Sequence, residues 1–523
     1  MQSSTILVLI SIILMNSVNC ARILGIFPMP SRSHQIVFQS YTKELAKRGH
    51  ELVVVSPDPF PPDTRPENLT DIDVSFSYQV MKNLFTANLL DLKQGVIMDI
   101  DAIIAGNLYE KFVYAYVDQM NHPPVQKLIN DKNQRFDLIV VEGFLDYHLM
   151  FTEIFKAPVI MFPSFMGFAE QYEMLGGIGR HPILYPHLHR NKFDDLNLFE
   201  WAKELYYEYR MYAMFERLEH KQNELLKENF GANAPTVNEL RENIDLLLLN
   251  SYADFANNRP VPPNIIYLGA VQLQPVKEIP KDLKDYLDSS TRGVIYVSFG
   301  SNIMPSRMFK ELLGAILEAF GKLPYDILWK FDEDNLENVP KNVKYMKWFP
   351  QRDLLFHPNI KAFVTQCGLQ STDEAIDAAV PLVGIPMMAE QAYNAKKYKD
   401  FGIGVKLDPM TLTADDFVNG VNTVVEDISY KNNILRLKKI HQDQPQSPLE
   451  RAVWWTEYVI RHSGARHMRS PAANMPWHKY YMLDILLPLL GLFITVLIVV
   501  ATLLRFVCNI IGVFGGKEKF KQK

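Results

Sequence analysis

The chain has 523 residues, 48% of them hydrophobic and 12% aromatic, and its 54 basic and 59 acidic residues give a formal net charge of -5. This composition excludes a disordered or low-complexity chain, and the slight acidic excess argues against a nucleic-acid partner, which would require a basic surface. The length exceeds what one hydrophobic core usually serves and predicts two domains of roughly 200 residues each, with additional segments.

The first twenty residues, MQSSTILVLISIILMNSVNC, are typical of a secretory signal peptide. An apolar stretch from Ile6 to Met15 is followed by small and polar residues, which predicts that residues 1–20 are removed and that Ala21 becomes the first residue. Cys20 then leaves with the signal, and Cys508 stands at the far end of the chain. Cys367 remains alone, so no intramolecular disulfide is expected on the luminal side.

Strand-length apolar runs alternate with helical segments over residues 21–257 and predict a first Rossmann-like domain. The alternation opens as strand, loop, helix and strand, which is the beginning of a βαβ unit. Buried parallel strands appear as such continuous apolar runs. A sequon at Asn68 lies in a Pro-rich polar loop and predicts a glycan acceptor there. The predicted strands are residues 21–27, 51–57, 136–142, 157–163 and 244–251.

A proline-rich and weakly charged stretch predicts the domain boundary, with residues 258–284 as a linker. The same alternation restarts after it and predicts a second Rossmann-like domain over residues 285–445. Helices and a membrane approach are expected over residues 446–482. The strands of the second domain are predicted at residues 293–301, 326–331, 343–349, 362–368 and 381–386.

Near the C-terminus, twenty residues from Ile485 to Leu504 carry no charge, which is enough to cross a bilayer. We predict a transmembrane helix at residues 483–505 and a cytosolic tail at residues 506–523. The positive charges of Arg505 and the tail lysines agree with this orientation, and almost all of the chain is then luminal. The ending KFKQK has two interpretations: a dilysine type of signal for residence in the endoplasmic reticulum membrane, or simple positive charge on the cytosolic side.

Three loops of the second domain follow predicted strands, at the sheet edge where open parallel sheets bind ligands. Free amides at a helix N-terminus favour an anion, so Ser301 and residues 368–371 predict a diphosphate site. Glu374, one turn further, would accept hydrogen bonds from a ribose diol, and Trp348 would offer a flat face to a base. Alternatively, Ser371 and Glu374 form only a helix capping box. The three loops are residues 299–302, 366–371 and 387–391.

The segment WFPQRDLLFHPNIKAFVTQCGLQSTDEAIDAAVPLVGIPMMAEQ, residues 348–391, resembles the donor-binding signature of UDP-glycosyltransferases. The resemblance extends over essentially the whole chain, and TQCGLQSTDEA and NNRPVPP are similar to insect, moth-like members and to baculovirus ecdysteroid glucosyltransferases. It implies an α/β fold of the GT-B type, in which two Rossmann-like domains face each other. It also implies an inverting transfer of a hexose, with glucose favoured, from a UDP-sugar to small lipophilic acceptors such as plant phenolics or steroids.

By the same resemblance, Trp348 stacks on uracil and Gln351 contacts its edge. Glu374 holds the ribose, while Glu390 and Gln391 contact the sugar hydroxyls. Gln366 stands where many members have a phosphate-contacting histidine and keeps an amide donor there, whereas Ala379 and Ala389 occupy places where glycine is common. The diphosphate is expected to meet Ser301, Gln366, Gly368, Gln370 and Ser371.

Catalysis is expected in the first domain, where His34 follows the first strand and resembles the family's catalytic histidine. A histidine suits the removal of a proton from the acceptor hydroxyl, because free imidazole titrates near neutral pH. A carboxylate should orient it; Glu142 is favoured because it ends a strand, with Asp146 as the rival. No cofactor or metal is expected, since no ligand-spaced cluster appears. The acceptor pocket is expected from loops around Phe144, Tyr147 and Met166.

A hypothesis of another class is a non-catalytic protein of the same fold that binds a nucleotide sugar or a hydrophobic ligand. The presence of His34 with an acidic partner argues against it. The sequence leaves the oligomeric state open, a homo-oligomer included.

Overall fold

The computed structural model describes residues 20–89, 100–190 and 192–518. Residues 1–19 of the predicted signal peptide and residues 519–523 of the predicted tail lie outside the described residues. The described part of the chain forms two parallel β-sheets of seven and six strands, with helices on their faces, as predicted for an α/β fold.

The first sheet has the strand order β3-β2-β1-β4-β5-β6-β7, with every pair parallel. Its central strands are buried on both faces, and this explains their unbroken apolar sequences, for example LIVV in β4. The order reverses between β1 and β4, which places a topological switch point at their carboxyl ends. The strands are β1 Arg22–Ile26, β2 Glu51–Ser56, β3 Leu69–Asp73, β4 Leu138–Val141, β5 Val159–Met161, β6 Ile244–Leu249 and β7 Ile265–Tyr267.

Among the described residues, ten helices and one 3-10 turn come before the second sheet in sequence. Helix α1 follows β1 directly. The helices are α1 Arg32–Lys47, α2 Phe76–Leu89, α3 Ile100–Ala105, α4 Leu108–Met120, α5 Pro123–Asn130, α6 Met150–Phe155, α7 Ala169–Glu173, α8 Leu198–Phe230, α9 Val237–Arg241 and α10 Lys281–Ser289, and the 3-10 turn is Tyr147–Leu149.

The second sheet has the order β10-β9-β8-β11-β12-β13, again with parallel pairs. Its switch point lies between β8 and β11, where Ser298 pairs with Thr365 at the carboxyl end of both strands. The strands are β8 Val294–Ser298, β9 Asp326–Lys330, β10 Val343–Met346, β11 Ile360–Thr365, β12 Leu382–Gly384 and β13 Gly404–Lys406.

Helices of the second half complete the described chain, with 3-10 turns at Pro305–Arg307 and Arg466–Met468. They include a helix that returns to the first sheet and a long C-terminal one. They are α11 Lys310–Lys322, α12 Gln351–Leu355, α13 Leu369–Ala378, α14 Gln391–Asp400, α15 Ala414–Glu426, α16 Ile428–Gln442, α17 Pro448–Arg461, α18 Trp477–Tyr480 and α19 Leu483–Glu518.

Two segments outside the predicted first domain, residues 21–257, pack against that domain. Residues 258–284, predicted as a linker, contain β7, which pairs with β6 and forms the edge of the first sheet. Helix α17 comes after the second sheet in sequence but packs on α1, where the hydroxyls of Tyr41 and Thr456 lie 2.6 Å apart. The chain therefore crosses between the two halves twice, which ties them together.

Helix α19 contains the stretch Leu483–Ile511, which is long and apolar enough to cross a membrane. Its side chains are exposed along this length rather than packed against the rest of the protein. It includes the predicted span at residues 483–505. An exposed helix that is apolar on every face is suited to a lipid surrounding.

Candidate active site

The carboxyl ends of the two sheets meet at a cavity of about 380 Å³. Loops after β1, β4 and β5 line it from one side, and loops after β8, β10, β11 and β12, with the end of β9, from the other. Direct hydrogen bonds cross between the sides: Asn302 Nδ2 donates to Ser31 Oγ at 3.2 Å, and Gln370 Nε2 donates to the Ser164 carbonyl at 3.0 Å. Both switch points therefore open into one shared space.

His34 and Glu142 form a hydrogen-bonded pair on the first side of this cavity. His34 Nδ1 lies 2.6 Å from Glu142 Oε1, and the Glu142 side chain is 1% exposed. The second carboxylate oxygen, Oε2, accepts the Met29 amide at 3.0 Å. His34 lines the cavity, so the nitrogen that does not face Glu142 remains for a ligand. A carboxylate held in this way fixes the orientation of the imidazole.

The local sequence explains why these two side chains meet. Glu142 follows β4, and its backbone amide donates a hydrogen bond of 2.8 Å to the carbonyl of Ile26 at the end of β1. The Gln35 side chain donates to the carbonyls of Phe27 and Met29 and holds the loop after β1. His34 was predicted in that loop, but it lies in the first turn of α1, because the helix begins at Arg32.

Asp146, the rival partner for His34, lies in a different network. Its Oδ2 binds Arg241 at 2.6 Å, and Arg241 also binds Glu219 at 2.6 Å. The carboxylates of Asp146 and Glu219 raise the pKa of Arg241, which keeps the guanidinium charged despite its burial. Asp146 therefore serves a structural ion pair, whereas Glu142 contacts the imidazole.

On the second side, Gln366 packs tightly between two glycines. Gly300 has φ +74°, and a Cβ there would lie 2.1 Å from Gln366 Nε2; at Gly368 the same atom would be 3.0 Å away. The Thr365 hydroxyl donates to Gln366 Oε1 at 3.0 Å, and this orients the amide nitrogen toward the two loops. Only glycine at position 300 gives Gln366 room to lie there.

The capping-box interpretation of Ser371 and Glu374 is wrong. Helix α13 begins at Leu369 with Gly368 as the N-cap and has no side-chain cap. Instead, Gln351 Nε2 donates to Ser371 Oγ at 3.0 Å and to Glu374 Oε2 at 2.7 Å. Burial raises the pKa of Glu374, and the hydrogen bond from Gln351 opposes this. These three side chains form a polar cluster at the cavity wall and are available to a ligand instead of a cap.

Gln391 and Glu390 lie at the start of α14, beside the cavity. Gln391 Oε1 accepts the amides of Met387 and Met388 at 2.9 and 3.0 Å, which leaves its amide nitrogen for other partners. Burial raises the pKa of Glu390, and a backbone hydrogen bond partly offsets this. Glu390 and His34 line the same cavity from its two opposite sides.

Lys330 is a cavity residue that the sequence analysis missed. It ends β9, its Nζ donates to the Gly300 carbonyl at 2.8 Å, and it lies 4.5 Å from the centre of the Trp348 ring. Burial lowers its pKa to about 8. Trp348 itself lines the cavity with 60% of its surface exposed. The signal that could have found Lys330 is a charged residue at the end of an apolar strand, on the edge where ligands bind.

Left-handed backbone occurs at both alanines that replace the family's common glycines. Ala379 has φ 55° at the end of α13, and Ala389 has φ 53° in the loop before α14. Cys367, buried between Gln366 and Gly368, also has a positive φ, of 71°. These conformations favour glycine, since a Cβ crowds the carbonyl oxygen. Alanine at both places therefore carries a cost in backbone strain.

Most of the remaining lining on the first side is apolar, and it includes four phenylalanines. Phe144 lines the cavity, as predicted, whereas Tyr147 and Met166 are buried in the core outside its lining. Phe165 and Phe168, close to Met166 in sequence, line the cavity instead. The apolar lining on this side consists of Met29, Ile36, Ile103, Leu108, Phe112, Phe144, Phe165, Phe168 and Leu188.

Away from the cavity, Asn68 lies at the end of the predicted loop, in the turn that directly precedes β3. Its Nδ2, the atom that would carry a glycan, donates to the carbonyls of Ala46 and His50 at 2.8 and 2.7 Å. Modification would require both bonds to break. No group of three or more His, Cys, Asp or Glu side chains suited to hold a metal ion is found within residues 20–89, 100–190 and 192–518.

Comparisons with known proteins agree with this geometry. The family model described as "UDP-glucoronosyl and UDP-glucosyl transferase" matches residues 22–518. The ecdysteroid UDP-glucosyltransferase of Spodoptera littoralis nuclear polyhedrosis virus is 39% identical, over 93% of this chain and 97% of that protein. UDP-glucosyltransferase 2 of Dactylopius coccus is 32% identical, over 95% and 94% of the two chains. The crystal structure of a UDP-glucose: anthocyanidin 3-O-glucosyltransferase with UDP superposes with a TM-score of 0.57 at 18% identity, covering 84% of this chain and 99% of that one.

Proposed function

This chain belongs to the UDP-glucuronosyl and UDP-glucosyl transferase family, and from that premise we propose that it transfers glucose, with inversion, to a hydroxyl of a small lipophilic acceptor. It is a glycosyltransferase that uses a UDP-sugar, and it has the predicted GT-B fold. The observation that carries the proposal is the His34–Glu142 pair, which opens into a cavity with one polar and one apolar side.

His34 acts as the general base in this proposal. The acceptor oxygen attacks the anomeric carbon while the bond from that carbon to the UDP oxygen breaks, and the hydroxyl proton passes to the imidazole. Direct displacement from the opposite face inverts the configuration. Glu142 stabilises the imidazolium that forms, because its carboxylate is buried and 2.6 Å away. Proton transfer by a positioned side chain of this kind contributes about 10² to 10⁴ in rate.

The donor occupies the loops of the second sheet. Trp348 stacks on uracil, Gln351 contacts its edge, and Glu374 accepts the ribose hydroxyls after giving up its bond to Gln351. Glu390 and Gln391 hold the sugar close to His34. The diphosphate lies against the N-terminus of α13, where amides and the helix dipole favour an anion. Its side-chain contacts are Ser301, Gln366, Gln370 and Ser371, with Gly368 supplying backbone.

Lys330 provides the positive charge that glutamine at position 366 lacks. It lies beside Gly300 and Trp348, next to the positions that we propose for the diphosphate and the uracil. Loss of UDP is then assisted by this ammonium group together with the amides of α13, which stabilise the negative charge on the departing phosphate.

The aromatic half of the cavity suits a flat, apolar acceptor, which supports phenolic xenobiotics as substrates. The baculovirus relatives are named for ecdysteroids, so an ecdysteroid belongs among the acceptors to be tested. A role in detoxification would follow from activity on plant phenols.

We propose a type I orientation for the chain in the endoplasmic reticulum membrane, with both sheets in the lumen. The span Leu483–Ile511 supports an anchor, and the lysines of the tail support a cytosolic C-terminus. Protease treatment of intact microsomes would remove a C-terminal tag and leave the rest of the chain protected. Digestion of the main part without detergent would contradict this orientation. A mobility shift with an N-glycosidase would test Asn68.

The function is tested with microsomes that contain the full chain, UDP-[14C]glucose and a panel of naphthols, simple phenols and an ecdysteroid. Product that disappears in His34→Ala, at equal expression, is the expected result. If no acceptor is glucosylated while UDP still raises the melting temperature, the protein binds the nucleotide without catalysis. Transfer that is retained in His34→Ala would refute the role of the base.

A further inference from the structure

A buried polar pair interrupts the aromatic half of the cavity. Tyr109 and His189 are 3% and 7% exposed, and both line the cavity. The Tyr109 hydroxyl lies 3.0 Å from His189 Nε2. The rings of Phe112, Phe144 and Phe168 surround the tyrosine at 6.0, 5.8 and 5.9 Å between centroids. A polar pair is costly in such a place unless it is hydrogen-bonded.

The hydrogen bonds around His189 assign the direction of this contact. The His189 amide donates to His187 Nδ1 at 3.2 Å, so that nitrogen carries no proton. His189 Nδ1 lies 3.2 Å from the same atom, and we assign it the proton because two unprotonated nitrogens at this distance would repel each other. Burial lowers the pKa of both histidines, to about 4 for His189, so both are neutral near pH 7. His189 Nε2 is then an acceptor, and the Tyr109 hydroxyl is its donor.

This assignment leaves the Tyr109 oxygen with lone pairs and without a proton to share. A ligand group that meets it has to donate a hydrogen bond, so a hydroxyl fits and an ether or ketone does not. The fixed direction makes the pair a selective feature of the cavity.

Phe144 connects this pair with the proposed base. The Phe144 ring lies 5.9 Å from the His34 ring and 5.8 Å from the Tyr109 ring, nearly parallel to the latter at 20°. The centres of the His34 and Tyr109 rings are therefore no further apart than these two ring-to-ring distances added together. A fused-ring molecule laid along Phe144 places one end at His34 and the other at Tyr109.

We propose that the preferred acceptors are flat, fused-ring molecules with two hydroxyls at opposite ends: one is glycosylated at His34, and the other donates a hydrogen bond to Tyr109. This inference rests on the proposed function and adds the class of acceptor. His189 is a positioning residue, since it acts by fixing the tyrosine proton.

The test compares kcat/KM for 2,6-dihydroxynaphthalene and 6-methoxy-2-naphthol, which differ at the distal group, in the full chain in microsomes. The diol has two equivalent hydroxyls that can react, which alone makes its kcat/KM twice as high. Beyond this factor we expect the wild type to favour the diol by about tenfold, which corresponds to one neutral hydrogen bond. In Tyr109→Phe the rate for the diol falls and the ratio approaches two. Tyr116→Phe is the matched control: this buried tyrosine stands outside the cavity lining, and its variant keeps the wild-type ratio.

His189 is tested by rescue. His189→Gln retains a side-chain oxygen to accept the Tyr109 proton and is expected to keep most of the preference, whereas His189→Leu frees that proton and lowers the preference. UDP-dependent thermal protection shows which variants are folded. An unchanged ratio in folded Tyr109→Phe would overturn the inference, and so would a change that comes only from faster reaction of the methoxy compound. Absence of transfer to both compounds and to the wider panel in the wild type would instead refute the proposed function.

Discussion

Replacement of Glu142 by glutamine removes the charge next to the proposed base and keeps the side-chain volume. In the transition state the imidazole gains a positive charge beside a carboxylate 2.6 Å from its Nδ1. With charge centres about 4 Å apart and an effective dielectric constant of about 20, their attraction is about 4 kcal/mol. Part of this remains as a neutral hydrogen bond in Glu142→Gln, so we expect kcat to fall by about 10² to 10³.

The assay is initial-rate kinetics with UDP-glucose and a naphthol that the wild type accepts. KM for UDP-glucose should change little in Glu142→Gln, because the proposed donor contacts belong to the other sheet. Asp146→Asn is the matched control: it removes a carboxylate four residues away that binds Arg241, so it should lower stability without a comparable loss of kcat. A folded Glu142→Gln enzyme with more than a third of the wild-type kcat would refute the reasoning.

Three further predictions follow from buried or strained positions. Ala379→Gly removes a left-handed alanine and should stabilise the protein by about 0.5–1 kcal/mol, measured as a higher urea midpoint; a lower midpoint would contradict it. Burial lowers the pKa of His148 to about 3, so its contribution to stability is full above about pH 6.5 and is lost as the pH falls toward 3. Between these pH values the free energy of unfolding of the wild type should fall, relative to that of His148→Phe, by about 1.4 kcal/mol per pH unit. Parallel plots of unfolding free energy against pH for the two proteins would disprove this. Lys330→Met should weaken UDP binding by about tenfold in titration calorimetry. Affinity of the wild type should also fall above about pH 8, where the free protein loses this charge; equal affinity of variant and wild type would exclude the contact.

The sequence was sufficient for the fold class, for most strands and for the edge where the site lies. Buried parallel strands need apolar side chains on both faces, and this leaves a continuous signal such as LIVV at residues 138–141. The three cavity loops at residues 299–302, 366–371 and 387–391 were also predictable, because each follows such a strand. Strands β3, β7 and β13 were missed. LTDID in β3 is largely polar, and IIY and GVK are only three residues long.

Side-chain partners were decided by the tertiary structure. Glu142 and Asp146 are both acidic and only four residues apart, and their roles separate because Arg241, 95 residues further on, binds Asp146. Tyr109 and His189 meet across 80 residues, and Lys330 reaches the Gly300 carbonyl only because β9 lies beside β8. The sequence by itself determined which segments are buried and where the chain turns, since these depend on local polarity and backbone preference. Only the tertiary structure decided which distant groups share a hydrogen bond, because that depends on how strands from separate parts of the chain are ordered in a sheet.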